Sequence, residues 1–390
     1  MTPGIVPAPW LATAGPDPFP APAVLPAEVD AVVVGGGLAG VATAYWLARS
    51  GWAVLLAERR VLAGGASGRN AGVFLPGPRP LEQPGLVRSV LAEEGIDAGF
   101  RRTGHLALSS SAAVLAEVRA EVARRSPDAS PLRALDRPEC EKKAGMPIAP
   151  RYAGGRWARD GHVVHPVRLV HGLAAAAIRR GARVATRTAV REVVPGRRRG
   201  WRVHTARGPV EASHVVYACA AQTGTFHPGL KEVITPVRGQ VLATETLPPM
   251  IAPAMAVDFG SVYWRQTDDG TVVVGGCRSA DPAAETGTRA ERVNAAIQQA
   301  LSAFLAATFP GFPPHTVTDR WAGIMDQTAD GRPLAGALPG GARQWVIAGF
   351  GGHGLPPALG TARALAATMT TGRPDPLLAP LDPARFGGSG

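Results

Sequence analysis

The chain has 390 residues, with 41 Lys or Arg against 30 Asp or Glu and a net charge of +11. At 46% hydrophobic and 18% charged it has the material for a real core and too little charge for a disordered chain, and its length suits one large domain or two intertwined ones. Only Lys142, Lys143 and Lys231 are lysine, so the basic excess reads as an arginine bias of GC-rich coding rather than a surface made for nucleic acid.

Residues 1 to 28 are proline-rich and aperiodic, an extended arm for a surface or a partner's groove. At Val29 the character changes. Asp30-Ala-Val-Val-Val34 is short, apolar and β-branched, the pattern of a strand buried on both faces of a parallel sheet. Gly35-Gly36-Gly37-Leu38-Ala39-Gly40 follows at once. A helix over residues 41–49 then ends before Ser50-Gly51, and a second buried strand, 53–57, closes on Glu58, completing a β-α-β unit. Residues 81 to 150 mix short helices with a strand-like run at 104–108. A helix is expected at 167–180, strands at 181–184 and 188–190, a basic hairpin at 196–200, a strand at 203–210 and a buried strand at 214–218. Alternating strands, including 263–265 and 272–274, occupy 236–318 together with a helix near 292–307. A strand at 345–348, a glycine-rich turn and a helix at 357–369 end the pattern, and no repeat period is present.

Cys140, Cys219 and Cys277 are far apart and form no CxxC pair, so neither a disulfide framework nor a zinc site is expected, and the chain reads as reduced and cytoplasmic. No apolar run reaches the roughly 18 residues of a membrane span, and the N-terminus lacks the basic region of a secretory signal. His162, His165 and His171 cluster without a carboxylate or cysteine at metal-ligand spacing, so they read as structural or surface histidines and no metal is expected.

Gly35-x-Gly37-x-x-Gly40 leaves a buried strand and opens a helix, and Glu58 ends the next strand 18 residues after Gly40. In that context Gly35 permits the tight turn, Gly37 lets backbone approach a pyrophosphate and Gly40 lets helix and strand pack closely. The helix N-terminus, with Leu38 and Ala39, offers N–H groups to phosphate, while Glu58, with Arg59 beside it, would accept hydrogen bonds from the adenosine ribose. This is a dinucleotide site, and the motif leaves the dinucleotide open.

Ala66-Ser67-Gly68-Arg69-Asn70-Ala71-Gly72 is similar to the second flavin-contacting segment of the D-amino-acid oxidase, glycine oxidase and sarcosine oxidase superfamily. Further matches follow in that family's order: Gly161-His-Val-Val-His165-Pro166, Gly181 to Val190, Pro236-Val-Arg-Gly-Gln240, Trp321-Ala-Gly323, Thr328 to Pro333, and Gly349-Phe-Gly-Gly-His353-Gly354. The arm, with Trp10-Leu-Ala-Thr-Ala14, resembles the γ-glutamylputrescine-oxidase-like branch. The resemblance covers nearly the whole chain and implies FAD rather than NAD. It implies an α/β (α+β overall) architecture, a Rossmann-like doubly wound FAD-binding domain in pieces (29–80, 155–235 and 319–375) with an antiparallel-sheet substrate domain inserted (81–154 and 236–318), followed by a tail at 376–390. To the cradle residues it adds, as cofactor-binding, the segment 66–72 with Ala66, Ser67, Arg69, Asn70, Ala71 and Gly72, the backbone at Val190 and Ala218, Gly323, and the turn of Gly349, Gly351, Gly352, His353 and Gly354. A glycine turn between a buried strand and a helix also places N–H groups where reduced flavin develops negative charge.

The resemblance also frames the substrate pocket. Glycine-oxidase-like members grip the substrate carboxylate with arginines at the positions of Met325 and Gly352, so both clamps are absent here. Asp326 either faces the flavin, favouring a cationic amine, or caps a turn or faces solvent. Tyr263 is a substrate-site hydroxyl or a packed strand aromatic, and His353 shapes the pocket or packs over its turn. The lysine that helps oxygen react in sarcosine-oxidase-like members is replaced by Val272-Val273-Val274, and no cysteine or histidine stands where FAD is attached covalently, so non-covalent FAD is expected. Cys277 reads as lining the sheet. The implied activity is FAD-dependent oxidation of a CH–NH or CH–NH2 group of a small amine or amino-acid-like substrate, with oxygen or another carrier taking the electrons. The alternatives are an amino-acid dehydrogenase or oxidase, a biosynthetic tailoring enzyme, or a non-catalytic flavin-binding protein.

Overall fold

The computed structural model describes residues 8–75, 81–124, 132–197, 200–258 and 260–387. Its first sheet is seeded by the valine-rich strand Glu28–Val34, which pairs in parallel with Val54–Ala57 on one side (Val33 opposite Leu56) and with Gly208–Tyr217 on the other (Val33 opposite Val216). Arg183–Ala185 extends the parallel set beyond Val54–Ala57, and Gln344–Ala348 pairs in parallel with the end of Gly208–Tyr217. Val32 and Val33 have no exposed surface, the burial on both faces that their β-branched run predicts.

One face of this sheet is covered by the helices Leu38–Arg49, Pro166–Arg179 and Ala358–Thr371, whose apolar stripes share one core with Val33, Leu56 and Ile347. Each fully buried Val or Leu on those stripes contributes about 1.5–3 kcal/mol of hydrophobic stabilisation. The other face packs on Val203 and Val210 of an antiparallel meander and on Leu230, Ile234 and Leu338. The strand expected at 203–210 is in fact two, Trp201–Thr205 and Gly208–Tyr217, turned at residues 206–207. The second runs unbroken through the strand expected at 214–218, because its first half pairs with the meander and its second half with the parallel core. The strand expected at 188–190 begins only at Val190. At the basic hairpin, Gly196 N–H donates to Gly200 O, while Arg198 and Arg199 lie outside the described residues.

The second sheet has eight strands in the order Val317–Thr328, Ile234–Thr246, Thr271–Gly276, Val262–Gln266, Ala254–Val257, His105–Ser109, Gly154–Ala158, Leu132–Asp136, antiparallel except where Ala254–Val257 meets His105–Ser109. Its outer face is closed by the helix Ala295–Thr308, capped by the Asn294 side chain, over a core of Trp264, Leu301, Leu305 and Phe309. Gly154–Ala158 and Val317–Thr328 belong to this sheet, although their sequence ranges fall mostly with the first. Conversely Pro84–Glu94, from a range expected in the second unit, packs Val87, Val90 and Leu91 on the helices of the first. Domain borders drawn along the chain therefore cut across the sheets. A small third sheet joins Val73–Phe74, His162–Val163 and Arg101–Arg102. No helix among the described residues is long and apolar enough to cross a membrane.

Candidate active site

Gly35 turns the chain out of its strand with φ +114°, and an added Cβ would come within 2.4 Å of Ala218 O. At Gly40 the same atom would lie 2.0 Å from Gly35 O, so the helix seats against the turn only because no side chain intervenes. Gly37 is the N-cap and supplies no side-chain cap, so the helix presents backbone N–H groups outward. Leu38 N–H donates to Ser67 Oγ at 2.8 Å, tying the cradle to the segment 66–72. Glu58 accepts from Gly36 N–H and from Arg60 N–H, each at 2.7 Å, and Arg59 beside it is exposed. Carboxylate oxygens carry further lone pairs, so these bonds leave capacity for a ribose. Thr188 N–H donates to Glu58 O at 2.7 Å, bringing residues 185–190, with Val190, alongside this strand end.

Asn70 organises the segment 66–72: its amide donates to Ala66 O and Ser67 O, and its Oδ1 accepts from Gly72 N–H at 2.8 Å. Ala71 is buried, and Gly72 has φ +67° with room only for a hydrogen beside Val164 O. Arg69 turns inward, donating to Gly64 O and to Ala322 O at 2.7 Å, while Trp321 Nε1–H donates back to Arg69 O at 2.8 Å. Its backbone stays with the flavin-type segment, but its guanidinium works as a staple between the two sheets. Gly323 lets that staple close, since a Cβ would sit 3.1 Å from Arg69 Cβ.

A glutamate that no local motif marks completes this joint. Glu291 takes a two-pronged contact from Arg60 at 2.7 and 2.9 Å and faces Arg69 at 3.3 Å. Burial pushes the Glu291 carboxyl up, but the Arg60 bonds and the Arg69 charge outweigh it and hold it below its ordinary range. Its only signal in the sequence is an acidic residue between Arg289 and Arg292 in a loop, 231 residues from its partner.

Over the cradle, the second sheet forms a roof whose inner face carries glycines among its packed side chains. Gly239 pairs with Gly323, and Gly275 pairs with Tyr263. The Tyr263 ring lies across Gly275, where a Cβ would meet its Oη at 2.5 Å, and burial raises the phenol above its ordinary value. Met325 lies over Gly352: a Cβ there would be 2.7 Å from its Sδ. The two positions without arginine are thus neighbours in space, occupied by a thioether against bare backbone.

Of the two readings of Asp326, the geometry favours the turn rather than a face presented to an amine. The side chain is 5% exposed, its Oδ2 accepts from Gly349 N–H at 2.5 Å, and its main-chain oxygen accepts from Gly351 N–H at 2.8 Å. Burial pushes its carboxyl up to about 6, against the lowering by the Gly349 N–H. It acts on the turn 349–354 as a positioning group. Gly349, Gly351 and Gly352 all have positive φ, and Gly354 packs under Phe350. His353 is exposed on the same turn, its backbone N–H on Phe350 O.

The arm lies along its own chain. Trp10 Nε1–H donates to Asn70 O at 2.8 Å, Thr13 meets His165 at 3.0 Å, and Thr186 donates to Phe19 O at 2.7 Å. His162 stacks on Phe100 and His171 lies edge-on to Phe19. Among the described residues no group of three or more His, Cys, Asp or Glu is placed to hold a metal ion.

The glycine cradle, with no room for a Cβ at Gly35 or Gly40 and a Gly37 N-cap that brings no side chain of its own, fits the pyrophosphate of FAD. Comparison with known proteins agrees. The chain is 27% identical over 359 residues to the probable oxidoreductase OrdL of Rhizobium meliloti, covering 84% of this chain and 80% of that protein. It is 26% identical to mouse mitochondrial dimethylglycine dehydrogenase over 92% of this chain, yet spans only 44% of that longer protein. Glycine oxidase from Geobacillus kaustophilus superposes with a TM-score of 0.80 at 23% identity, covering 92% of this chain and 99% of that one, a likeness of fold. The family described as FAD dependent oxidoreductase (DAO) matches residues 30–368, and the chain belongs to that family.

Proposed function

We propose that this chain oxidises the C–N bond of a small amine or amino-acid-like substrate to an imine, with FAD held non-covalently. The observation that carries the reading is the joint between the sheets: Arg69 and Trp321 lock the glycine-lined roof, with Tyr263, over the segment that follows the pyrophosphate cradle. FAD, when bound, supplies the two-electron acceptor that takes a hydride from the carbon bearing the amine, and the nitrogen proton leaves to solvent as the imine forms. The residues of this chain hold that carbon at attack distance, exclude water and place the Tyr263 hydroxyl in the roof. The names of dimethylglycine dehydrogenase and glycine oxidase describe C–N chemistry in those proteins and support the same class here.

Anaerobic titration of the purified holoprotein with primary and secondary amines and with D- and L-amino acids tests this. Bleaching of the flavin band by one class supports the reading and identifies that class, whereas a flavin that no amine or amino acid reduces would leave a non-catalytic flavin-binding protein. Peroxide release under air then distinguishes an oxidase from a dehydrogenase that turns over only with an artificial dye.

A further inference from the structure

Three arginines are buried among the described residues: Arg69, Arg238 and Arg265. Arg238 grips Glu285 through Nε and Nη2 at 2.9 and 2.6 Å, and Arg69 has Glu291 besides its carbonyl partners. Arg265 is different. It is 5% exposed and makes no ion pair among the described residues. Its one hydrogen bond runs from Nη2 to Val164 O at 3.2 Å, its Nε is fully buried with no acceptor, and its Nη1 also has none among the described residues. The nearby acids are engaged elsewhere, Asp268 with Arg101 and Asp269 with Thr267 and Thr271. A desolvated guanidinium with in-plane donors unmet is costly, because a buried charge needs both a counter-charge and hydrogen bonds.

Its place in the sheet says where the missing partner belongs. Tyr263 and Arg265 are two residues apart on the strand Val262–Gln266, so the pleat sets both on the face turned toward the cradle, while Val262 and Trp264 enter the outer core. The guanidinium lies against Gly72, where an added Cβ would stand 3.0 Å from Nη2, and its carbon is 5.2 Å from the centre of the Trp10 ring. The carbon thus sits over the Trp10 ring, while the donors on Nε and Nη1 have no acceptor among the described residues. Burial lowers the group to about 10, so it stays cationic at neutral pH. Arginine in such a setting suits a carboxylate, whose two oxygens match the planar fork.

Resting on the reading of the site as a C–N oxidoreductase, we propose that Arg265 receives a carboxylate carried by the substrate, as a specificity-determining residue. The acid-binding role then sits on the strand of Tyr263, and Met325 against Gly352 forms an apolar wall.

The test uses the FAD-loaded protein titrated with acetate and with malonate, neither of which has a C–N bond to oxidise, and reads the perturbation of the bound flavin's visible band. Isobutylamine serves as a control without a carboxylate. The wild type is expected to bind both anions, and Arg265→Met to raise their Kd at least tenfold while leaving the isobutylamine response within twofold. Trp10→Leu, which removes the ring but keeps the guanidinium, is expected to change the anion Kd less than threefold. Absence of anion binding in the wild type, equal Kd values in Arg265→Met, or the same loss in Trp10→Leu would overturn the proposal, the last by making Arg265 an anchor for the arm. Should Arg265→Met fail to retain FAD, Arg265→Lys carries the test: it keeps the charge but not the fork, so a weakening of at least threefold is expected and an unchanged Kd overturns. Because acetate and malonate report without turnover, failure here is separable from failure of the amine titration. An enzyme whose flavin is bleached equally by amines with and without a carboxylate, in both wild type and variant, loses this inference and keeps the proposed function.

Discussion

The cradle and the roof are made in opposite ways. The cradle gathers its turn, helix cap, acidic strand end and flavin-type segment from residues 35 to 72, close neighbours in the chain. The roof assembles strands from residues 105 to 328, and Gly239, Gly275, Gly323, Tyr263 and Arg265 come to share it only through strand pairing. A local device announces itself by residue spacing, because helix and turn geometry relate neighbours directly. A roof announces almost nothing, because which positions share its inner face depends on register.

That contrast can be broken at the cradle most severely. In Gly37→Val the side chain enters space where even a Cβ is 3.0 Å from Ser67 Oγ, and it stands in the path of the pyrophosphate. The expected outcome is protein purified without the flavin band, while Gly65→Ala, whose Cβ meets nothing within 4 Å, keeps full occupancy; full occupancy in both would remove this account of the cradle. Breaking the joint comes next. Glu291→Ala leaves Arg60 and Arg69 facing one another without their counter-charge and is expected to cost about 2–3 kcal/mol, less than a fully buried pair because Glu291 keeps some exposure. Denaturant titration and FAD loss on dialysis measure it, and an unchanged midpoint would mean that the two sheets are held by other contacts.

On the roof, Tyr263→Phe is expected to lower kcat about tenfold, equal to about 1.4 kcal/mol, with FAD content unchanged. Kinetics matching the wild type would assign the ring to packing over Gly275. The effect expected at Asp326 is confined to a window of pH. Its folded value near 6 stands above about 3.9 in an unfolded chain, so its burial favours folding most below pH 4, and that contribution fades as pH rises through 6. Asp326→Asn, which does not titrate, is therefore expected to gain on the wild type between pH 4 and 6 by up to about 3 kcal/mol, then run parallel above pH 7. Parallel stability curves across the whole range would mean that folding leaves the carboxyl unshifted, the Gly349 N–H offsetting its burial.

The residues themselves carried the β-α-β unit, the glycine requirement at Gly35 and Gly40, and the family. Each rests on chain-local physics: a β-branched run, a positive φ, a helix opening on a glycine N-cap. Tertiary structure alone decided the rest. It turned the Arg69 side chain into a staple, tied Asp326 to the turn 349–354, joined Glu291 to Arg60 across 231 positions, and left Arg265 buried with no carboxylate partner among the described residues. A side chain's partner across a sheet or between sheets is chosen by register and packing, and spacing along the chain does not encode it.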